Sequence, residues 1–256
     1  MSSRLTGRTA LVTGSTSNIG RSIALAFAAE GAHVIVSGRD AGRGAAVVDA
    51  IRHDGGRADF AAADLDGSPA GSHALAEEAT RRLGGRVDVL VNNAGVFPAP
   101  STLDTDEATF DHVYGVNVKA AFFLTQALVP PMIERGDGVV INLGSWITRL
   151  GVPRGALYAS TKGAVETLTR AWAAEFGPRG VRVNAISPGV VNPPEIATSE
   201  LGPRDALMVG TPAGRAGHPD AIGAAAVYLA SDEASFTHGI VLDVDGGRTG
   251  VAVAAA

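Results

Sequence analysis

The chain predicts an α/β protein: one doubly wound, parallel, seven-stranded sheet with helices on both faces, in a single domain. Two observations carry this. Short, β-branched apolar runs alternate with longer segments of helical apolar spacing along the whole length, and the connections between them are short. The first strand, Gly-containing turn, helix and second strand close a β-α-β unit within about 30 residues, the arrangement that feeds right-handed crossovers into a parallel sheet.

The elements follow in order. Residues 9–13 read as a strand, 14–20 as a turn, 21–30 as a helix and 32–37 as a buried strand. A helix over 42–52 leads to a strand over 58–63, and a helix over 69–83 leads to a strand over 87–91 and the loop Asn92-Asn-Ala-Gly95. One long helix over 107–135 precedes a strand over 139–143. The pairs 157–176 with 181–186 and 219–231 with 240–244 complete the alternation. No internal repeat or linker interrupts residues 1–256, and the Pro- and Gly-rich stretch 188–219 is expected to form a mobile flap beside the site.

Composition narrows the function. With 256 residues the chain buries a substantial core, and its 46% hydrophobic and 18% charged residues are ordinary for a globular protein. A net charge of −5 without a basic stripe argues against nucleic acid. The sequence holds no cysteine, no apolar N-terminal leader and, on reading, no 18-residue apolar run, so a cytoplasmic protein without a membrane span is expected. Six scattered histidines have no ligand spacing, and no metal is expected.

Chemistry concentrates between Ser145 and Lys162. Tyr158 and Lys162 stand four apart at the start of an Ala-rich helical segment, so they share a face. The chain has three Tyr and only two Lys, which makes the pairing informative. An ammonium beside a phenol favours phenolate and lowers a pKa that starts near ~10. Ser145, after the strand 139–143, can hold a substrate oxygen beside that phenol, and the group suits proton transfer to or from a carbonyl or alcohol oxygen. In the first unit, Gly14 permits a tight turn, Gly20 permits close approach of helix to strand, and the helix N-terminus offers N–H groups to a pyrophosphate.

Thr13-Gly14-Ser-Thr-Ser-Asn-Ile-Gly20, Asp64, Asn92-Asn-Ala-Gly95, Asn117, Ser145, Tyr158-x-x-x-Lys162 and Pro188-Gly189 together resemble the classical short-chain dehydrogenase/reductase family over residues 6–249. The resemblance implies a Rossmann fold and an NAD(P)(H)-dependent oxidoreductase that interconverts a carbonyl and a secondary alcohol. It makes Tyr158 the acid/base, with Ser145 orienting the substrate oxygen and Asn117 anchoring a relay water. Lys162 would lower the Tyr158 pKa and hold the nicotinamide ribose. It assigns Gly14, Ser15, Thr16, Asn18, Ile19, Gly20, Asp64, Leu65, Asn93, Ala94, Gly95, Pro188, Gly189 and Val191 to the cofactor. Asn92 is expected to tie strands together, and Lys119 to be a surface charge. The family's middle glycine is Asn18 here, a residue that tolerates left-handed backbone angles and also caps helices.

At the end of the second strand the family's NAD-selecting Asp aligns with Gly38, and Arg39 follows; a guanidinium there grips a 2′-phosphate, so NADP(H) is expected over NAD(H), with Asp40 the residue that could oppose it. Val96, Phe97, Trp146, Val190, Leu201 and Met208 are expected to line an apolar substrate pocket. Small residues and Trp172 on the segment 157–176 predict a homotetramer or homodimer. The alternative is a cofactor-binding regulator without chemistry, which would have no need to keep Tyr158, Lys162 and Ser145 together.

Overall fold

The computed structural model describes residues 3–196 and 202–251. Among these, seven parallel strands form one sheet in the order β3-β2-β1-β4-β5-β6-β7. They are β1 (Thr9–Val12), β2 (His33–Gly38), β3 (Arg57–Ala62), β4 (Val89–Asn92), β5 (Gly138–Leu143), β6 (Val181–Pro188) and β7 (Val241–Val244). The helices are α1 (Asn18–Ala29), α2 (Ala41–His53), α3 (Pro69–Arg82), α4 (Glu107–Tyr114), α5 (Ala120–Arg135), α6 (Ala156–Phe176) and α7 (Pro219–Ala230).

Alternation along each strand builds two cores. Ala10 and Val12 of β1, Val34 and Val36 of β2, and Val139 and Ile141 of β5 face the layer holding Ile23, Phe27, Ile222 and Val227. Leu11, Ile35 and Val140 face the opposite layer with Leu75, Leu124, Met132 and Trp172. Both faces of the central strands are covered, which is why their sequences read as continuous apolar runs.

The single helix expected over 107–135 is two helices joined by a π turn at Gly115–Lys119. Gly115 is pressed against the loop after β3, where a Cβ would meet the Asp66 carbonyl oxygen. The widened turn at this point carries Asn117 into the interior, where it is 2% exposed. Within Glu107–Arg135 one 18-residue window reaches a mean hydropathy of 1.3, apolar and long enough by composition to cross a membrane, which corrects the expectation of no such run; half of that window is buried in the protein.

A polar ladder ties the sheet to α6. Asn92 donates to Asn142 Oδ1 at 2.9 Å and to Thr125 at 3.3 Å, and Asn142 donates to Thr169 of α6 at 2.9 Å. Asn92 therefore ties strands, as expected. Replacing Asn142 with Leu removes two buried hydrogen bonds, although Asn92 keeps Thr125 and Thr169 keeps the Val165 carbonyl; urea unfolding of Asn142→Leu should read a loss of about 2 kcal/mol, from two bonds at ~1 kcal/mol each.

Candidate active site

A cleft of about 490 Å³ crosses the carboxyl ends of β1 to β4, where the strand order reverses direction. Its floor begins at Gly14, whose φ of +62° and 2.9 Å approach of a built Cβ to Ala94 Cα exclude a side chain. Thr16, Asn18, Ile19 and Gly20 continue the wall. Asn18 does adopt the left-handed φ expected of it, +50°, and stands at the start of α1. It does not cap the helix: Ser17 is the extended N-cap residue, and no side chain caps it. With no acidic residue in its first turn, α1 presents its N-terminus to the cleft.

Ser15 is a correction. Its hydroxyl donates to the Val12 carbonyl at 2.6 Å and accepts from Ser37 N at 2.9 Å, so the fully buried side chain locks the turn onto β2 instead of facing a ligand. Thr13 Oγ1 accepts from Asn93 N and Ala94 N, both at 3.0 Å, while Asn93 Nδ2 donates to the carbonyls of Thr13 and Gly14 at 2.7 and 3.0 Å. Asn93, Ala94 and Gly95 line the cleft, and the Asn93 side chain is at the same time its brace.

At one end, Arg39, Asp64 and Leu65 line the cleft. Arg39 Nε lies 3.8 Å from Asp64, with both side chains largely exposed, an ion pair of small net worth. Asp40 does not turn inward: it caps α2 by accepting from Arg43 N at 2.9 Å and pairs with the Arg43 guanidinium at 2.9 Å. Arg43 also lines the cleft and was missed; its place three residues after a capping Asp, on the first turn after β2, is the signal that could have found it.

At the other end stand Val96, Phe97 and Tyr158. The Phe97 ring lies 4.5 Å from the Tyr158 ring, and Phe97 is 57% exposed. Ser145, at the turn after β5, counteracts the upward push of burial on the Tyr158 phenol. Beneath them Asn117 accepts from Val96 N at 2.8 Å and donates to Val96 O and Thr161 at 3.0 and 3.1 Å, pinning the loop after β4 to α6. Its side chain is thus a clamp on the loop. Lys119 is exposed.

Lys162 is 4% exposed and donates to the Leu143 carbonyl at 2.8 Å, with Nζ 5.7 Å from the Tyr158 ring centre. Burial pushes its pKa down to about 8 against the opposing field of Glu166. The expected depression of Tyr158 is corrected here: burial raises the phenol, and the counteracting influence is the Ser145 hydrogen bond, not the ammonium. Lys162 donates one of its three N–H groups to the β5 carbonyl.

The remaining expected residues lie away from the cleft. Trp146, Val190 and Met208 pack together with Ala216 in a small apolar cluster of their own, and Met208 is 1% exposed. Val191 is buried in the core and bridges to Gly217, and Gly189 passes so close to Asp245 that a Cβ would stand 2.5 Å from its Cα. Pro188 ends β6 and pairs with Val244. Leu201 lies outside the described residues, as does part of the segment expected as a flap. Arg204, which was missed, lines the cleft from that segment and donates to Val191 O at 2.6 Å.

The buried lysine gives a stability signature. An unfolded lysine titrates at 10.5 and the folded one at about 8, so between these values the unfolded chain holds a proton that the folded chain has released. Stability contributed by this group therefore rises with pH across that window. Urea midpoints at pH 8 and 10.5 should show a wild-type rise relative to Lys162→Met; parallel profiles would refute the burial effect.

The model of the family described as enoyl-(acyl carrier protein) reductase matches residues 14–249. The galactitol 2-dehydrogenase (L-tagatose-forming) of Cereibacter sphaeroides is 42% identical over 250 residues, covering 96% of each chain. The cyclopentanol dehydrogenase of Comamonas sp. (strain NCIMB 9872) is 35% identical, covering 96% of this chain and 98% of its own. The solved structure of a 3-oxoacyl (acyl-carrier-protein) reductase from Agrobacterium tumefaciens C58 with NADP bound superposes with a TM-score of 0.87 at 32% identity, covering 96% of this chain and 95% of its own. With its sheet order, its cleft at the β1/β4 reversal and matches along almost the full length, the chain belongs to the classical short-chain dehydrogenase/reductase family, oxidoreductases of alcohols and carbonyls.

Proposed function

We propose that the protein is an NADP(H)-preferring reductase of ketones, reversibly a dehydrogenase of secondary alcohols, with Tyr158 as its acid/base. The observation that carries this is the Tyr158 phenol at one end of a cleft whose other end holds Arg39 and Arg43. The side-chain-free Gly14 turn and the open N-terminus of α1 fit a pyrophosphate, and Gly38 leaves no carboxylate against a 2′-phosphate. Gly14, Thr16, Asn18 to Gly20, Leu65 and Asn93 to Gly95 would hold the dinucleotide; Arg39 and Arg43 would grip its 2′-phosphate. A bound nicotinamide supplies the hydride in reduction and takes it in oxidation.

The chain's own groups handle the proton. Burial keeps the Tyr158 phenol protonated at neutral pH, so it donates its proton to the substrate oxygen as that oxygen gains charge. Ser145 holds the same oxygen. Lys162, an ammonium below about 8, donates to the Leu143 carbonyl and fixes the turn that carries Ser145. Phe97 and Val96 exclude water from the reacting centre and favour an apolar substrate body. A cysteine-free enzyme of this kind suits the cytoplasm.

Absorbance at 340 nm over a panel of cyclic ketones, cyclic alcohols and polyols tests the reading. Wild type should turn over members of the panel, and Tyr158→Phe should lose about 10²–10⁴-fold in kcat. Tight NADPH binding without any turnover would instead make the protein a cofactor-binding regulator. Arg39→Ala should weaken NADPH about tenfold and leave NADH unchanged; tighter binding of NADH than NADPH by wild type would overturn the cofactor preference.

Assembly follows from an apolar groove between α5 and α6, lined by Phe122, Val129, Ile133, Trp172 and Phe176. Its stacked rings support pairing of these helices across two-fold axes into a tetramer. Sedimentation at micromolar concentration should give a four-chain mass, and a monomer would refute it.

A further inference from the structure

Glu166 lies one helical turn beyond Lys162 on the same face of α6 and is 7% exposed. A buried carboxylate in a site whose chemistry is already assigned to other groups needs a reason. Its Oε1 accepts a hydrogen bond from Thr148 Oγ1 at 3.0 Å, and that hydroxyl also lies 2.9 Å from the Ser145 carbonyl. Gly144 is shaped around it: a Cβ there would stand 2.6 Å from Glu166 Oε1. The carboxylate therefore sits against the turn that joins Leu143, the acceptor of the Lys162 ammonium, to Ser145.

Other groups around Lys162 are neutral or weaker candidates for a counter-charge. The β5 side offers the Leu143 carbonyl, the loop after β4 offers Gly95, and the π turn offers Asn117, whose Oδ1 would lie 3.3 Å from a Cβ on Gly95. From β6, Asn184 is neutral and spends its side chain on Thr237 and Ile240. On α6 itself the titratable neighbour is Tyr158, and Lys119 of the π turn is exposed. Among the described residues Glu166 is the charged side chain whose field acts on the ammonium.

We infer that Glu166 is a positioning residue of the proton-transfer site, holding the Ser145 turn through Thr148 and setting a carboxylate one helical turn from Lys162. The inference rests on the reading of Tyr158 and Lys162 given above, but it can be tested without turnover. The chain has two lysines, Lys119 and Lys162, so in a Lys119→Arg background ¹³Cε-lysine NMR reports Lys162 alone.

In that background Glu166→Gln, which keeps the oxygen facing Thr148, should move the Lys162 titration down by about one unit or more. Glu166→Asp, which keeps the charge, should return it toward the starting value. The alkaline limb of the kcat/KM profile should move the same way, with the NADPH Kd unchanged. A Lys162 titration unaltered in Glu166→Gln overturns the inference. Equal shifts in the Gln and Asp variants also overturn it, because a packing change and not the charge would then be responsible. A wild type that turns over no substrate sinks the proposed function, whereas the lysine titration still decides the role of Glu166.

Discussion

The burial of one ammonium governs this architecture. Lys162 is held almost without solvent under the cleft, against the Leu143 carbonyl, and such a charge is stable only where its surroundings are fixed. The surroundings are fixed accordingly. Asn117 clamps the loop after β4 onto α6, the ladder of Asn92, Asn142 and Thr169 clamps the sheet onto the same helix, and Thr148 links the Ser145 turn to Glu166. The helix that carries Tyr158 and Lys162 is thereby tied to three separate parts of the chain, so the phenol and the ammonium keep their spacing.

The strands and helices were legible because buried parallel strands leave a plain signature: apolar on both faces, bounded by Gly and polar turns. Edges differed by up to three residues, as at α1, which starts at Asn18 and not at residue 21. The break at Gly115–Lys119 was not legible. The apolar period runs smoothly through it, and the cause is a contact with Asp66 and Gly67, some fifty positions earlier, which no local pattern records.

The site divides in the same way. Gly14, Asn18 and the Tyr158–Lys162 spacing are local facts of backbone and helix geometry, and the structure retains them. The direction in which the Tyr158 pKa moves was not local. It depends on how deeply the phenol is buried and on which acceptor the ammonium chooses, and the carbonyl of Leu143 on another element takes that bond. Ser15 was misread for a related reason: a serine in a Gly-rich turn looks like a phosphate donor until Val12 and Ser37 are seen to use its hydroxyl. Trp146, Val190 and Met208 are apolar residues near the site in sequence whose packing among themselves only the fold decides.

The brace between Thr13 and Asn93 has a wider consequence. It welds the ends of β1 and β4, the two strands that flank the reversal, so this part of the cleft is tied directly to the sheet. The opposite part is made of Phe97, the turn after β5 and the segment after β6; of these, the loop carrying Phe97 joins the weld only through its first residues, Asn93 and Ala94. Sequence change in those loops can remodel what the molecule accepts while leaving the redox partner's seat undisturbed, a separation of recognition from reactivity that is built into the order of the strands.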